Sequence, residues 1–122
     1  MKNQAYRMAM LYDFYGDLLT DRQKEFYDLY YNEDLSLAEI AENYGITRQG
    51  VRDVIVRAEA YLTEIEDKTG LIRRFHTMQD QLKEVAACAV QIRAINDARL
   101  NDRELEDLAQ RIQSLTDILI QE

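Results

Sequence analysis

Three polar residues at the start of one predicted helix have the chemistry to recognise nucleic acid: Arg48, Gln49 and Arg52. A guanidinium group donates paired hydrogen bonds to guanine or to phosphate, and a glutamine amide matches the edge of adenine. At helical spacing these residues project away from a second set, which is apolar: Val51, Ile55, Ala58 and Leu62. Each arginine alone is most simply a solvated charge on an amphipathic helix, but the pair together with Gln49 favours a surface that faces nucleic acid.

Two hydroxyl residues and a further arginine complete the predicted site. Ser36 and Thr47 stand where two helices are predicted to begin, and backbone N–H groups at a helix start attract phosphate. Arg57 adds positive charge further along the second of these helices. The sequence therefore predicts a site for double-stranded DNA, formed by Ser36, Thr47, Arg48, Gln49, Arg52 and Arg57.

The residue types present give little support for a catalytic function. The chain has one histidine, His76, and one cysteine, Cys88, and twelve helical residues separate them by about 18 Å. We expect Cys88 to pack as a small apolar residue near an apolar seam and His76 to lie on the helix surface. Zinc-ligand spacing, a phosphate-binding loop and a dinucleotide fingerprint are all missing from the sequence. We expect a protein that is not an enzyme and that needs no metal or cofactor.

Two short helices joined by a tight turn must position the predicted site. Ser36 is placed to cap the first helix, with Glu39 completing a capping box. Gly45 then supplies a left-handed residue, and Thr47 caps the second helix. Two apolar pairs would fix the entry into the helices: Leu35 with Ile40, and Ile46 with Val51. This is the pattern of a helix-turn-helix, whose second helix enters the major groove.

The flanking segments also read as helices. Thr20, with Gln23 three residues later, predicts the start of a helix that turns Phe26, Leu29 and Tyr30 to the core. An earlier short amphipathic helix is indicated by apolar residues at helical spacing: Tyr6, Met10, Leu11, Phe14, Tyr15 and Leu18. The recognition helix should continue to about Lys68, because Thr69 and Gly70 interrupt its apolar phase. Most tyrosine rings are expected in the core with their hydroxyls reaching water, although an aromatic surface that stacks on single-stranded bases is the alternative.

Beyond Gly70 the sequence predicts a helical hairpin with two apolar seams. The first seam consists of Leu71, Phe75, Met78, Leu82, Val85, Ala89 and Ile92, and the second of Leu105, Leu108, Ile112, Leu115 and Leu119. Asn101 is placed to cap the final helix, with Glu104 at the capping-box position. The linker from 96 to 100 is short enough to force an antiparallel pair, so we expect the two seams to pack on each other.

A lone hairpin of this size needs another surface to cover it. We expect a homodimer in which two hairpins form a four-helix bundle. The alternative is that the hairpin folds back on the first half of the same chain.

Composition agrees with an all-α fold, since the 122 residues include no proline and no segment alternates like a strand. We predict a helix-turn-helix domain over residues 1–68, of the winged-helix-like or sigma-factor-like type, and a C-terminal antiparallel hairpin over residues 69–122 that serves for dimerisation. The sequence has neither a signal peptide nor an apolar run of membrane length, so we expect a cytoplasmic protein without membrane insertion.

The stretch from Leu19 to Leu62 resembles the YlxM family of small bacterial helix-turn-helix proteins, whose motif is similar to the promoter-reading domain of sigma factors. The matching features are Leu19–Thr20, the paired Tyr30 and Tyr31, and the runs Glu33–Leu37, Glu39–Ala41 and Thr47–Gln49. The family's genes commonly lie beside those for signal recognition particle components. The resemblance therefore implies a regulatory role in the signal recognition particle pathway.

One residue departs from the family pattern. Gly50 stands where alanine is commoner, and glycine in a helix costs about 0.5–1 kcal/mol relative to alanine. It either loosens the start of the recognition helix through simple drift or permits the backbone to approach a phosphate closely.

Charge separates two hypotheses for the function. A net charge of −8 opposes non-specific affinity for DNA, so a monomer should bind weakly and with steep salt dependence. The first hypothesis is a DNA-binding regulator, because residues 47–58 hold three arginines against one aspartate. The second is an interaction module that binds a signal recognition particle protein or its RNA and does not bind DNA.

Overall fold

The computed structural model describes residues 5–121, and between these limits the chain is built of six α-helices without a β-strand. The helices are α1 (Ala5–Tyr15), α2 (Asp21–Tyr31), α3 (Leu37–Tyr44), α4 (Arg48–Thr69), α5 (Leu71–Ile95) and α6 (Arg103–Gln121). A short 3-10 turn, Gly16–Leu18, follows α1, and a π-helical turn, Asn96–Leu100, follows α5. The all-α prediction is confirmed, and no wing of strands follows the recognition helix, since α5 comes directly after α4.

Local hydrogen bonds explain where the first helices begin. The Thr20 hydroxyl accepts from the Gln23 amide at 3.2 Å, and the Gln23 side chain accepts from the Thr20 N–H at 3.0 Å. Ser36 and Glu39 form the same reciprocal pair, at 3.1 and 3.2 Å. Both predicted capping boxes are therefore present.

A single glycine sets the turn of the helix-turn-helix. Gly45 ends α3 in the left-handed region with φ 66°, which costs a glycine little and most other residues more. Ile46 and Thr47 then lead directly into α4. At its far end α4 is closed by Gly70, also left-handed, as the predicted stop after Lys68 requires.

The first compact unit ends at Ile72, and α4 forms its central helix. The predicted inner face of α4 is confirmed: Val51, Ile55, Ala58 and Leu62 are all fully buried. Its first half packs with α2 and α3 around Phe26, Tyr30 and Ile40. Its second half packs with α1 and α2 in a cluster that consists of Met8, Leu11, Tyr15, Leu19, Tyr27, Ala58, Leu62 and Ile72. Two apolar clusters thus stabilise the helix-turn-helix on the buried side of α4.

The buried face of α1 differs from the predicted one. Met8, Leu11 and Tyr15 are buried, whereas Tyr6 is 80 % exposed and Phe14 and Leu18 are also exposed. Leu11 and Tyr15 belong to the predicted apolar set, and Met8, three residues before Leu11, is the buried residue that the prediction missed.

Tyrosines fill much of the core, as predicted, and several hydroxyls bond protein groups rather than reaching water. The Tyr27 hydroxyl donates to the Met8 carbonyl at 2.6 Å, and the Tyr31 hydroxyl donates to the Glu59 carboxylate. Burial raises the pKa of Tyr27, with a smaller contribution from the charge of Glu59. Burial also raises the pKa of Tyr31, and its hydrogen bond to Glu59 adds to the shift.

The second compact unit begins at Arg73, and in it α5 and α6 form the predicted hairpin. Gln79 Nε2 donates to the Leu119 carbonyl at 3.1 Å near the open end of the hairpin. Arg93 Nε donates to Glu106 Oε1 at 2.9 Å and Arg93 NH1 to Gln113 Oε1 at 2.8 Å. These contacts join the start of each helix to the end of the other, so the pair is antiparallel.

The predicted pairing of the two apolar seams is wrong. The α6 seam is exposed along its whole length: Leu105, Leu108, Ile112, Leu115 and Leu119. The α5 seam is mostly exposed too, at Leu71, Met78, Val85 and Ile92, and its Ala89 is buried. The helices meet instead through small and polar side chains, including Ala89, Ala109 and Thr116.

The turn of the hairpin also differs from its prediction. The segment from 96 to 100 is a π-helical turn, and Asp102 rather than Asn101 caps α6, because Asp102 Oδ1 accepts from the Glu104 and Leu105 amides at 2.8 and 3.1 Å. The buried Asn96 side chain forms two hydrogen bonds with the backbone of Asp102. Asn96 Oδ1 accepts from the Asp102 N–H at 2.9 Å, and Asn96 Nδ2 donates to the Asp102 carbonyl at 2.7 Å. Asn101 adopts the left-handed conformation with φ 49°, which asparagine tolerates better than most residues.

The two residues considered for catalysis lie on the surface of α5. His76 is exposed as predicted, but Cys88 is exposed rather than packed near a seam. Among residues 5–121, no three His, Cys, Asp or Glu side chains are grouped so as to hold a metal ion. Within the same range, no helix is both long and apolar enough to cross a membrane.

Candidate nucleic-acid interface

An open groove lies where the starts of α3 and α4 come together. Its volume is about 600 Å³, and it is lined by Tyr30, Ser36, Leu37, Ala38, Arg48, Gln49 and Arg52. Four of the six predicted site residues, Ser36, Arg48, Gln49 and Arg52, therefore share one concave surface. All four are exposed, so a ligand can reach them without rearrangement of the core.

Two helix N-termini flank this groove, and each has its first turn organised by a hydroxyl. Ser36 Oγ accepts from the Glu39 amide at 3.1 Å, and Thr47 Oγ1 accepts from the Gly50 amide at 2.9 Å. A hydroxyl that accepts such a bond still has a proton to donate. Both residues can therefore contact a phosphate oxygen while they cap their helices.

The two N-termini differ in charge. The first turn of α4 contains no acidic residue and carries Arg48, so the partial positive charge of the helix start is reinforced. The first turn of α3 contains Glu39, whose carboxylate accepts from the Ser36 N–H at 3.2 Å. That carboxylate offsets the positive end of α3. The start of α4 is thus the better side of the groove for an anion.

Gln49 is already engaged within its own helix. Its Nε2 donates to Asp53 Oδ1 at 2.9 Å, one turn further along α4. The contact aligns the amide along the outer face of the helix. The second Nε2 hydrogen and Oε1 can still bond a base edge while this contact is kept.

Two predicted residues lie outside the lining of the groove. Thr47 stands just before α4 as its cap, and Arg57 follows Arg52 by five residues. Five residues of helix amount to about 140° of rotation and about 7.5 Å of rise. Arg57 therefore points to a different side of α4 from Arg52.

Sequence reasoning missed three residues of the groove, Tyr30, Leu37 and Ala38. Leu37 and Ala38 are the first two residues of α3, so their place follows from the Ser36 cap once the two helix starts are known to adjoin. Tyr30 was assigned to the core and is almost fully buried, at 7 % exposed. It lines the groove because it belongs to the cluster on which α3 and α4 both pack.

The capped helices, the glycine turn and the exposed start of α4 define a helix-turn-helix protein. Comparison with known families agrees, since the profile of the family described as "Putative helix-turn-helix protein, YlxM / p13 like" matches residues 2–111. The chain belongs to this family, known as UPF0122.

Relatives at considerable identity carry the same family name. A UPF0122 protein of Desulforamulus reducens is 51 % identical over 82 residues, which cover 67 % of this chain and 70 % of the relative. A UPF0122 protein of Acetivibrio thermocellus is 40 % identical over 116 residues, or 92 % of this chain and 99 % of the relative. One from Caldanaerobacter subterraneus subsp. tengcongensis is 40 % identical over 115 residues, with 94 % and 98 % covered.

Proposed function

We propose that this protein binds double-stranded DNA through the groove between α3 and α4. The observation that carries the proposal is the convergence of Arg48, Gln49 and Arg52 with Ser36 on one exposed concave surface. In this arrangement α4 enters the major groove, its N-terminal side chains meet base edges, and the two helix starts hold phosphates. Arg57 is not part of this contact.

The affinity of one chain for DNA should be modest. Residues 1–72 hold eight Lys and Arg against fourteen Asp and Glu, a net charge of −6. Such a body repels phosphate beyond the immediate range of the groove. Binding through the arginines of the groove releases counterions from the phosphates and should therefore fall with added salt, and a pair of chains presenting two α4 helices would bind more strongly than one.

A second candidate function is an interaction module, and the acidic charge favours its protein partner, because that charge repels the phosphates of DNA and RNA alike. The groove would then receive a signal recognition particle protein or its RNA, and duplex DNA would not bind. The family's genomic neighbourhood favours such a partner, and a regulatory role in the signal recognition particle pathway is compatible with either candidate.

A titration separates the two candidates. Fluorescently labelled genomic duplex DNA and signal recognition particle RNA are each titrated with the full chain at two salt concentrations. The DNA proposal predicts saturable, salt-sensitive binding to duplex that unlabelled RNA displaces only weakly. Tight RNA binding with no measurable duplex binding would overturn it in favour of the second candidate.

A further inference from the structure

The hairpin exposes a continuous aliphatic face that its own two helices leave uncovered. On α6 it consists of Leu105, Leu108, Ile112, Leu115 and Leu119, with Leu108 and Leu115 more than half exposed. On α5 it consists of Met78, Val85 and Ile92, of which Met78 is 57 % exposed. We name these eight side chains the aliphatic face.

The aliphatic face has one stripe of residues on α6 and one on α5, and both stripes lie on the same side of the hairpin. On α6 each stripe residue directly precedes one that is turned towards α5, as Leu108 precedes Ala109 and Ile112 precedes Gln113. On α5 the relation is the same, since Met78 precedes Gln79 and Ile92 precedes Arg93. One residue rotates a helix position by about 100°. Because the helices are antiparallel, the same rotation on each brings the two stripes to one side.

We propose that a second copy of this chain covers the aliphatic face, so that two hairpins form a four-helix bundle. The proposal does not depend on nucleic-acid binding by the first unit. Its size supports it, since α6 has 19 residues and is about 28 Å long, and two adjacent helices are about 20 Å wide. A face of these dimensions covers about 560 Å², at the upper end of the roughly 300–600 Å² apolar patch of a typical soluble monomer and of the same order as the roughly 800 Å² per partner that a stable complex buries.

The chemistry of the face points to a copy of itself. All eight side chains are aliphatic and follow a three-four or seven-residue spacing, the spacing by which helices interdigitate with similar helices. The charged phosphates and polar base edges of a nucleic acid cannot form favourable contacts with such a surface. Residues 73–122 hold seven Lys and Arg against nine Asp and Glu, a net charge of −2. Two hairpins can therefore approach with little of the repulsion that the −6 of the first 72 residues would produce.

The first test is the molar mass of the full chain by light scattering after size exclusion. The wild-type protein should have a molar mass twice that of one chain, which is 14.4 kDa. Leu115→Glu, which places a charge in the centre of the aliphatic face, should weaken self-association at least tenfold and give monomer. Gln110→Glu adds the same charge to an exposed position on the opposite side of α6 and should remain dimeric. Monomeric wild-type protein, or a Leu115→Glu chain as dimeric as Gln110→Glu, would overturn the proposal.

A second measurement substitutes none of the eight side chains and so covers the case in which Leu115→Glu fails to fold. Cys88 is the one cysteine of the chain and is exposed on α5, so it accepts a single spin label. The proposal predicts dipolar coupling between labels that grows with protein concentration and disappears on dilution with unlabelled chain. Labelled protein at high concentration without such coupling would overturn it.

Discussion

The amide of Gly50 donates to Thr47 Oγ1 at 2.9 Å, and a Cβ atom at position 50 would lie 3.2 Å from that same oxygen. The glycine therefore lets the cap of the recognition helix sit close to the backbone that it caps. The structure adds a third explanation to simple drift and phosphate approach, because the missing side chain makes room for the threonine hydroxyl.

This relationship predicts coupling between the two positions. Gly50→Ala gains about 0.5–1 kcal/mol of helix propensity but displaces a cap that contributes about 1 kcal/mol. We expect Gly50→Ala to stabilise Thr47→Ala more than it stabilises the wild-type chain. Urea unfolding of the four chains in a double-mutant cycle measures the difference. An equal gain in both backgrounds would show that the hydroxyl and the glycine are independent.

Asp53 is predicted to restrain DNA binding. Its carboxylate accepts from Gln49 Nε2 at 2.9 Å, so it competes with the ligand for that donor, and its negative charge opposes an approaching phosphate. Asp53→Asn removes the charge and keeps an acceptor, and should tighten duplex binding about twofold to fivefold, the effect of a screened surface charge worth ~0.5–1 kcal/mol. Asp53→Ala also releases Gln49 and should tighten it at least as much. Asp67→Asn, near the other end of α4, is the control. An equal gain in duplex affinity in Asp67→Asn would show that the effect comes from net charge alone.

Buried tyrosines predict loss of stability in alkali. Burial holds the pKa of Tyr27 above its ordinary value of 10.0, so the folded chain keeps a proton that the unfolded chain loses. Stability is therefore fully present below pH 10 and falls as the pH rises further, by up to about 1.4 kcal/mol per unit for each such group. Urea unfolding on both sides of pH 10 measures the slope.

Tyr27→Phe tests the assignment of that slope. We expect it to make the alkaline loss shallower and to cost about 1 kcal/mol at neutral pH, because the Met8 carbonyl loses its donor. Tyr6→Phe, at a site 80 % exposed, is the matched control. An alkaline slope as steep in Tyr27→Phe as in the wild-type chain would exclude Tyr27 as its source.

Sequence reasoning succeeded where the cause is local. The caps at Thr20, Ser36 and Thr47, the turn at Gly45 and the inner face of α4 all depend on residues within a few positions of one another. Because those caps fix where α3 and α4 begin, they also bring Ser36, Arg48, Gln49 and Arg52 to one groove.

Sequence reasoning failed where a helix could pack against more than one surface. The leucine stripe of α6 was assigned to α5 because burial of apolar surface is the strongest driving force visible in a sequence. The hairpin instead pairs through Ala89, Ala109 and the Arg93–Glu106 ion pair, contacts that the apolar periodicity of the two helices does not reveal. Arg57, predicted as part of the site because of its charge, points about 140° around α4 from Arg52 and lies outside the lining of the groove.

The most direct test of DNA binding by the groove compares salt slopes. Binding of a labelled duplex is measured over a range of salt concentrations for the wild-type chain and Arg48→Ala/Arg52→Ala. Arg57→Ala removes charge from α4 outside the groove, and Arg99→Ala/Arg103→Ala removes an equal charge from exposed positions in the second unit. We expect the groove variant to bind more weakly, with a log–log slope smaller by about one for each arginine, and both controls to stay close to wild type. Undiminished binding by Arg48→Ala/Arg52→Ala, or an equal loss in the controls, would contradict the proposal that this groove binds DNA.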